Sequence, residues 1–267
     1  GLGGVYRLVT GERGEGMARR FRVLSCEVLA RHVYHVAARA PDVIDVELVD
    51  KELHSAPDVL RAELQRRLDA IPPERYDAVL LGYGLCSYSV AGLVCPVAPM
   101  VVPRAHDCIT LYLGSADRYA SAFRANPGTY WYTADYLERG GSNGDRVALG
   151  ASADDAEMEA VYAEYVAKYG QDNADYLMEV MGAWRQHYNR AVYIDTEGLA
   201  LPDYTERVRD LAARRGWAFE RMAGSLALVR DLLEGRWDDA RFLTIPPGQT
   251  IAPTYDARIA RAEAPGL

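Results

Sequence analysis

The chain has 267 residues, 49% of them hydrophobic, and a formal net charge of -8. A sequence of that size and apolarity can bury one large core or two smaller ones, and its acidic balance argues against an electrostatic nucleic-acid binder. It contains no run of about 18 to 20 apolar residues of the kind that spans a bilayer, and its beginning lacks an apolar secretory core, so a cytoplasmic protein with no membrane partner is expected.

Residues 1–16 are glycine-rich and without apolar periodicity, and are read as a flexible extension. Phe21 to Cys26 reads as a buried strand, a helix follows to about Ala38, and Val43 to Val49 forms a second strand. Pro57 opens an amphipathic helix in which Val59, Leu60, Leu64 and Leu68 share the apolar face. Asp77 to Leu81 is the next strand and ends in Gly82-Tyr83-Gly84-Leu85-Cys86; Met100 to Pro103 is another and delivers Arg104, His106, Asp107 and Cys108. Residues 109–125 look helical and lead into the aromatic segment Gly128 to Thr133.

From Asp154 to about Asn189 the pattern turns to helices rich in Glu, Ala, Tyr and Met, among them Met158, Val161, Tyr165, Tyr176, Met181 and Trp184. Strands are then expected at Ala191 to Asp195, Trp217 to Arg221 and Arg241 to Ile245, with helices over Tyr204 to Arg215 and Ser225 to Leu233. The stretch from Leu232 to Gly248 repeats the layout of Arg67 to Gly84. Together these readings predict an α/β protein of two Rossmann-like half-domains with parallel sheets: a first half over 17–135, a helical insertion over 136–190 and a second half over 191–267.

The four cysteines, at 26, 86, 95 and 108, are too few for a disulfide framework. Cys26, Cys86 and Cys108 each fall at or just beyond the carboxyl end of a strand, where open α/β sheets bind ligands, whereas Cys95 sits inside a connection and reads as packing. Thiolates delivered from separate strand ends suit a soft or borderline ion with one open position, so Cys26, Cys86, Cys108 and His106 are the candidate metal ligands. Zinc is favoured, with an iron-sulfur cluster as the alternative.

On a continuing strand His106 and Cys108 would face one side and Asp107 the other, where Asp107 could cap the next helix. Arg104 is a candidate for orienting an anionic substrate group, with an ordinary structural ion pair as the competing role. His106 could instead move protons. Gly82 and Gly84 permit close approach of a bound molecule, although the pair lacks the rest of a dinucleotide fingerprint, and Gln249 beside Thr250 is expected to reach ligand across the cleft between the halves. Free cysteine is also a common small hydrophobe, and a lone cysteine with His106 could act as a metal-free nucleophile.

The motifs Gly82 to Cys86 and Pro103 to Thr110, with Ser25-Cys26-Glu27, Gly128 to Trp131 and Pro246 to Gly248, resemble an uncharacterised family catalogued as domain of unknown function sixteen-thirty-eight. The resemblance implies a link to anaerobic, corrinoid-dependent one-carbon metabolism, although the chain has no D-x-H-x-x-G corrinoid pattern. The expected function is a metal-dependent enzyme acting on a small polar organic molecule. A non-catalytic carrier of a cofactor or metal complex and a metal-free cysteine enzyme are the alternatives, and the oligomeric state is left open.

Overall fold

The structure is a computed structural model that describes residues 18–86, 88–139 and 188–264, apart from 255 and 257, with four single positions between 163 and 171. It shows a mixed α/β chain divided into two compact units. The first combines residues 1–116 with 226–267, and the second spans 117–225.

The first unit is built on a five-stranded sheet. Its strands are β1 (Arg20–Cys26), β2 (Val43–Val49), β3 (Ala78–Gly82), β4 (Met100–Pro103) and β8 (Phe242–Ile245), in the order β2-β1-β3-β4-β8. The first four run parallel, and β8 runs antiparallel to β4. Strand β3 is buried at every position, the continuous apolar pattern of a strand covered on both faces.

Helix α1 (Ala30–Ala37) connects β1 to β2, and α2 (Pro57–Asp69) connects β2 to β3. Pro57 starts α2, where a missing backbone N–H costs nothing, and Leu60, Leu64 and Leu68 are fully buried. Val59 is not part of that face; it is 53% exposed, because only the i, i+4, i+8 row meets the sheet. Helix α3 (Cys108–Leu113) ends at Gly114, whose φ of +71° breaks the expected continuous helix, and α4 (Ala116–Ala125) begins after it.

In the second unit β5 (Thr129–Tyr132), β6 (Arg190–Thr196) and β7 (Ala218–Gly224) form a parallel sheet in that order. Short helix α5 (Ala134–Glu138) follows β5, and α6 (Thr205–Arg214) joins β6 to β7. Tyr130, Tyr132, Tyr193, Val208 and Leu211 form its core, with Trp217 and Tyr188 packed against them. The aromatic segment is therefore interior packing of this unit, stabilised by ring burial and tilted contacts such as Tyr130 to Tyr132 at 4.8 Å.

The chain returns to the first unit through α7 (Ala227–Leu233), β8 and the antiparallel pair β9 (Thr250–Pro253) and β10 (Ala260–Glu263). This partition differs from the two successive halves expected: β5 belongs with β6, and β8 completes the first sheet. The similar layouts of Leu232 to Gly248 and Arg67 to Gly84 do not make a structural repeat, since β3 lies parallel to its neighbours and β8 antiparallel. The helical stretch expected over 154–189, with its Met and aromatic stripe, lies outside the described residues apart from the four single positions and residues 188 and 189.

Candidate metal centre

From β1 the chain passes to β2 on one side, then crosses to β3 on the other side and continues to β4. The carboxyl ends of β1 and β3 thus flank the reversal point of a doubly wound sheet, where diverging loops leave room for a ligand. Cys26 is the last residue of β1, Cys86 lies four residues beyond β3, and Cys108 five beyond β4. Three thiols reach one edge of the sheet from three neighbouring parallel strands.

The loops carrying Cys86 and Cys108 are joined through their backbones. Leu85 N–H donates to the Ala105 carbonyl at 2.8 Å, and Cys86 N–H donates to the His106 carbonyl at 2.9 Å. Gly84 lets them approach: a Cβ there would stand 2.6 Å from the Asp107 nitrogen and 2.9 Å from the Ala105 carbonyl oxygen. Cys86 itself has φ of +44°, a conformation non-glycine residues rarely adopt, and its carbonyl accepts from the Ser89 N–H and hydroxyl. Gly82 makes a comparable approach on β3, where a Cβ would fall 2.3 Å from the Ser25 hydroxyl. The two predicted glycines serve contacts within the protein.

Electrostatics place the thiols in one another's field. Burial pushes the Cys26 thiol up to about 12, against an opposing backbone N–H from Val28, with Glu27 and Asp50 raising it and Lys51 lowering it. Cys86 is raised by burial, then by Cys26 and Asp107; Cys108 is raised well above its usual value by burial, then by Cys86, Asp107 and Cys26. Cys26 is buried, while Cys86 and Cys108 keep some exposed area. Among the described residues, however, no group of three or more His, Cys, Asp or Glu side chains is arranged to hold a metal ion as it stands. The thiols lie in one another's electrostatic field without forming a ligand group.

His106 is exposed, and its backbone carbonyl, paired with Cys86, is what it contributes to the loop. The alternation expected to align its ring with Cys108 does not apply, because β4 ends at Pro103 and Cys108 already begins α3. Asp107 is the residue that acts on the thiols, and its carboxylate caps α3 by accepting the Ile109 N–H at 3.0 Å.

Arg104 turns away from the role of anion anchor. Its guanidinium donates to the carbonyls of Asp239 (2.7 Å), Arg258 (2.6 Å) and Ala260 (2.5 Å) and to the Asp239 carboxylate (2.9 Å). These bonds fasten the C-terminal pair β9–β10 to the end of β4, so the structural ion-pair reading is the one this geometry supports. Replacing Arg104 by Lys is expected to lower unfolding stability by about 2 kcal/mol, since one ammonium cannot reproduce the fork, with the change read by chemical denaturation.

Gln249 lies at the other end of the sheet. Because β8 is antiparallel, Ile245 pairs with Met100 at the amino end of β4, and the following turn is tied by Gly248 N–H to the carbonyl of buried Cys95 at 2.9 Å. The expectation that Gln249 reaches ligand at the cysteine edge fails on strand direction alone.

Sequence reasoning passed over Tyr83, Lys51 and Asp50, all near the carboxyl edge. Tyr83 follows the last residue of β3 directly and lies within the electrostatic reach of Cys26 and Cys86.

A family model described as "Protein of unknown function (DUF1638)" matches residues 48–233. The chain belongs to this family. The matched stretch includes Cys86 and Cys108 with their loops but begins after Cys26 and ends before the Pro246 turn. No curated protein matches the chain, and no solved structure does. Among the described residues no helix is long and apolar enough to cross a membrane.

Proposed function

We propose that the first unit is a metal-dependent enzyme for a small polar organic molecule, with Cys26, Cys86 and Cys108 as the ligands of zinc, or alternatively of an iron-sulfur cluster. The observation that carries this reading is the delivery of three thiols to the reversal point of the sheet from three adjacent parallel strands. Ligation requires that they lose their protons, so uptake of the ion is coupled to proton release and requires the sulfurs to come together into a ligand group.

A bound ion of this kind would supply Lewis acidity or an activated water at an open position. The chain's own part is to hold the donors: Gly84 keeps the Cys86 and Cys108 loops in contact, and Asp107 secures the helix that begins at Cys108. The competing metal-free nucleophile is disfavoured because all three thiols are pushed up, opposite to the activation such chemistry needs.

Protein purified without oxygen and assayed for zinc and iron is expected to carry a stoichiometric ion, with a visible absorption band distinguishing a cluster from zinc. Each of Cys26→Ser, Cys86→Ser and Cys108→Ser should weaken retention at least tenfold, and trivalent arsenic should bind the wild type and none of the three variants. Wild-type protein that takes up neither zinc, cobalt nor iron would end the proposal.

A further inference from the structure

Tyr83 is fully buried, and its hydroxyl has no hydrogen-bond partner among the described residues. A buried hydroxyl without a partner forfeits its solvation for nothing in return, so it calls for an acceptor that arrives from outside the fold. Its position says where. Tyr83 follows β3 immediately, and it lies within the electrostatic reach of both Cys26 and Cys86. The ring is held in place by His54, stacked at 5.9 Å with 21° between the planes. His54 is fixed in turn by Nδ1, 3.0 Å from the Lys51 carbonyl; since a carbonyl only accepts, Nδ1 carries the proton.

The charges around this edge narrow what the hydroxyl could meet. Glu27, Asp50 and Asp107 act on the thiols, with Lys51 as the opposing cation at Cys26. Arg67, which also acts on Tyr83, is paired with Glu47 and Glu63, and Arg104 is bonded to the C-terminal segment. Three thiolates on a divalent ion would add a further net negative charge. An anionic substrate is therefore poorly matched to the edge, and a neutral oxygen acceptor suits it.

We propose that the Tyr83 hydroxyl donates a hydrogen bond to an uncharged, oxygen-bearing substrate, a carbonyl compound or an alcohol, seated beside the thiol centre. This rests on the thiol-centre reading and adds to it the substrate class and the residue that selects it.

The test compares cobalt(II)-loaded wild type with Tyr83→Phe, using acetamide and acetate as probes and following the cobalt spectrum. Cobalt uptake should be unchanged in the variant, and acetamide affinity should fall about five- to tenfold, the value of one hydrogen bond. Acetate should bind the wild type more weakly than acetamide, and the metal-free variant should melt no lower than the wild type, because the hydroxyl satisfies nothing within the fold. Equal acetamide affinity in the two proteins, tighter binding of acetate, or a lower melting temperature for Tyr83→Phe would each overturn the assignment of Tyr83 while leaving the thiol centre standing. A wild type that takes up no cobalt would overturn both.

Discussion

Gly84→Ala is expected to cost about 3 kcal/mol of stability and to abolish stoichiometric metal retention. The added methyl would meet the Asp107 nitrogen at 2.6 Å, its Cα at 2.8 Å and the Ala105 carbonyl oxygen at 2.9 Å. All three are backbone atoms, so no side chain can swing aside and the loops after β3 and β4 must separate, an overpacking cost at the upper end of the usual range. Separation would break the bonds from Leu85 to Ala105 and from Cys86 to His106, which fix the spacing of two of the three thiols. Gly198→Ala is the matched control. Its φ is +85° with open space around the Cβ, so it should lose about 1 kcal/mol from backbone strain and retain metal as the wild type does. Denaturant melts with metal analysis on the same samples check both parts; a Gly84→Ala protein with wild-type metal content would show that loop contact does not position the thiols.

The strands and most helices of the described residues were legible because their signals are local. Burial on both faces gives β3 its unbroken apolar run, and Leu60, Leu64 and Leu68 recur at the helical period. The cysteine edge followed from the same source, since any thiol just past a parallel strand must arrive at the carboxyl side of the sheet. Direction was not legible. Phe242 to Ile245 has the composition of a buried strand whichever way it runs, and only its pairing with β4 sends Gln249 to the far edge. Arg104 shows the same limit: the carbonyls that occupy it come from residues 239, 258 and 260, more than 130 positions along the chain. His106 does not align with Cys108 because alternation ends where a strand ends, whereas Asp107 takes the helix-capping role read for it from the sequence.

Acidification is expected to remove about 3 kcal/mol of stability between pH 6.5 and pH 4 through one residue, His32. Its ring is 1% exposed and meets Tyr112 edge-on at 4.8 Å, and burial, with a smaller contribution from His35, lowers it from the usual 6.5 to about 4. The folded protein therefore binds this proton less readily than the unfolded chain. Stability is complete above pH 6.5, where both states are neutral, and falls by up to 1.36 kcal/mol per pH unit as the unfolded chain takes up the proton, until the folded ring is also charged near pH 4. His35 and His54 are lowered as well and act in the same sense, so the wild-type slope contains all three. The carboxylates held low by arginine or hydroxyl partners, such as Asp45, Glu63 and Asp256, lose their contribution as pH falls below the ordinary carboxylate range, which separates them from the histidines above pH 5. His32→Leu keeps an apolar side chain in the same space and isolates the residue. The difference in unfolding free energy between wild type and His32→Leu should shift by about 2 kcal/mol between pH 7 and pH 5, in favour of the variant at the lower pH. Parallel pH profiles for the two proteins would show that the buried ring is not what makes this fold sensitive to acid.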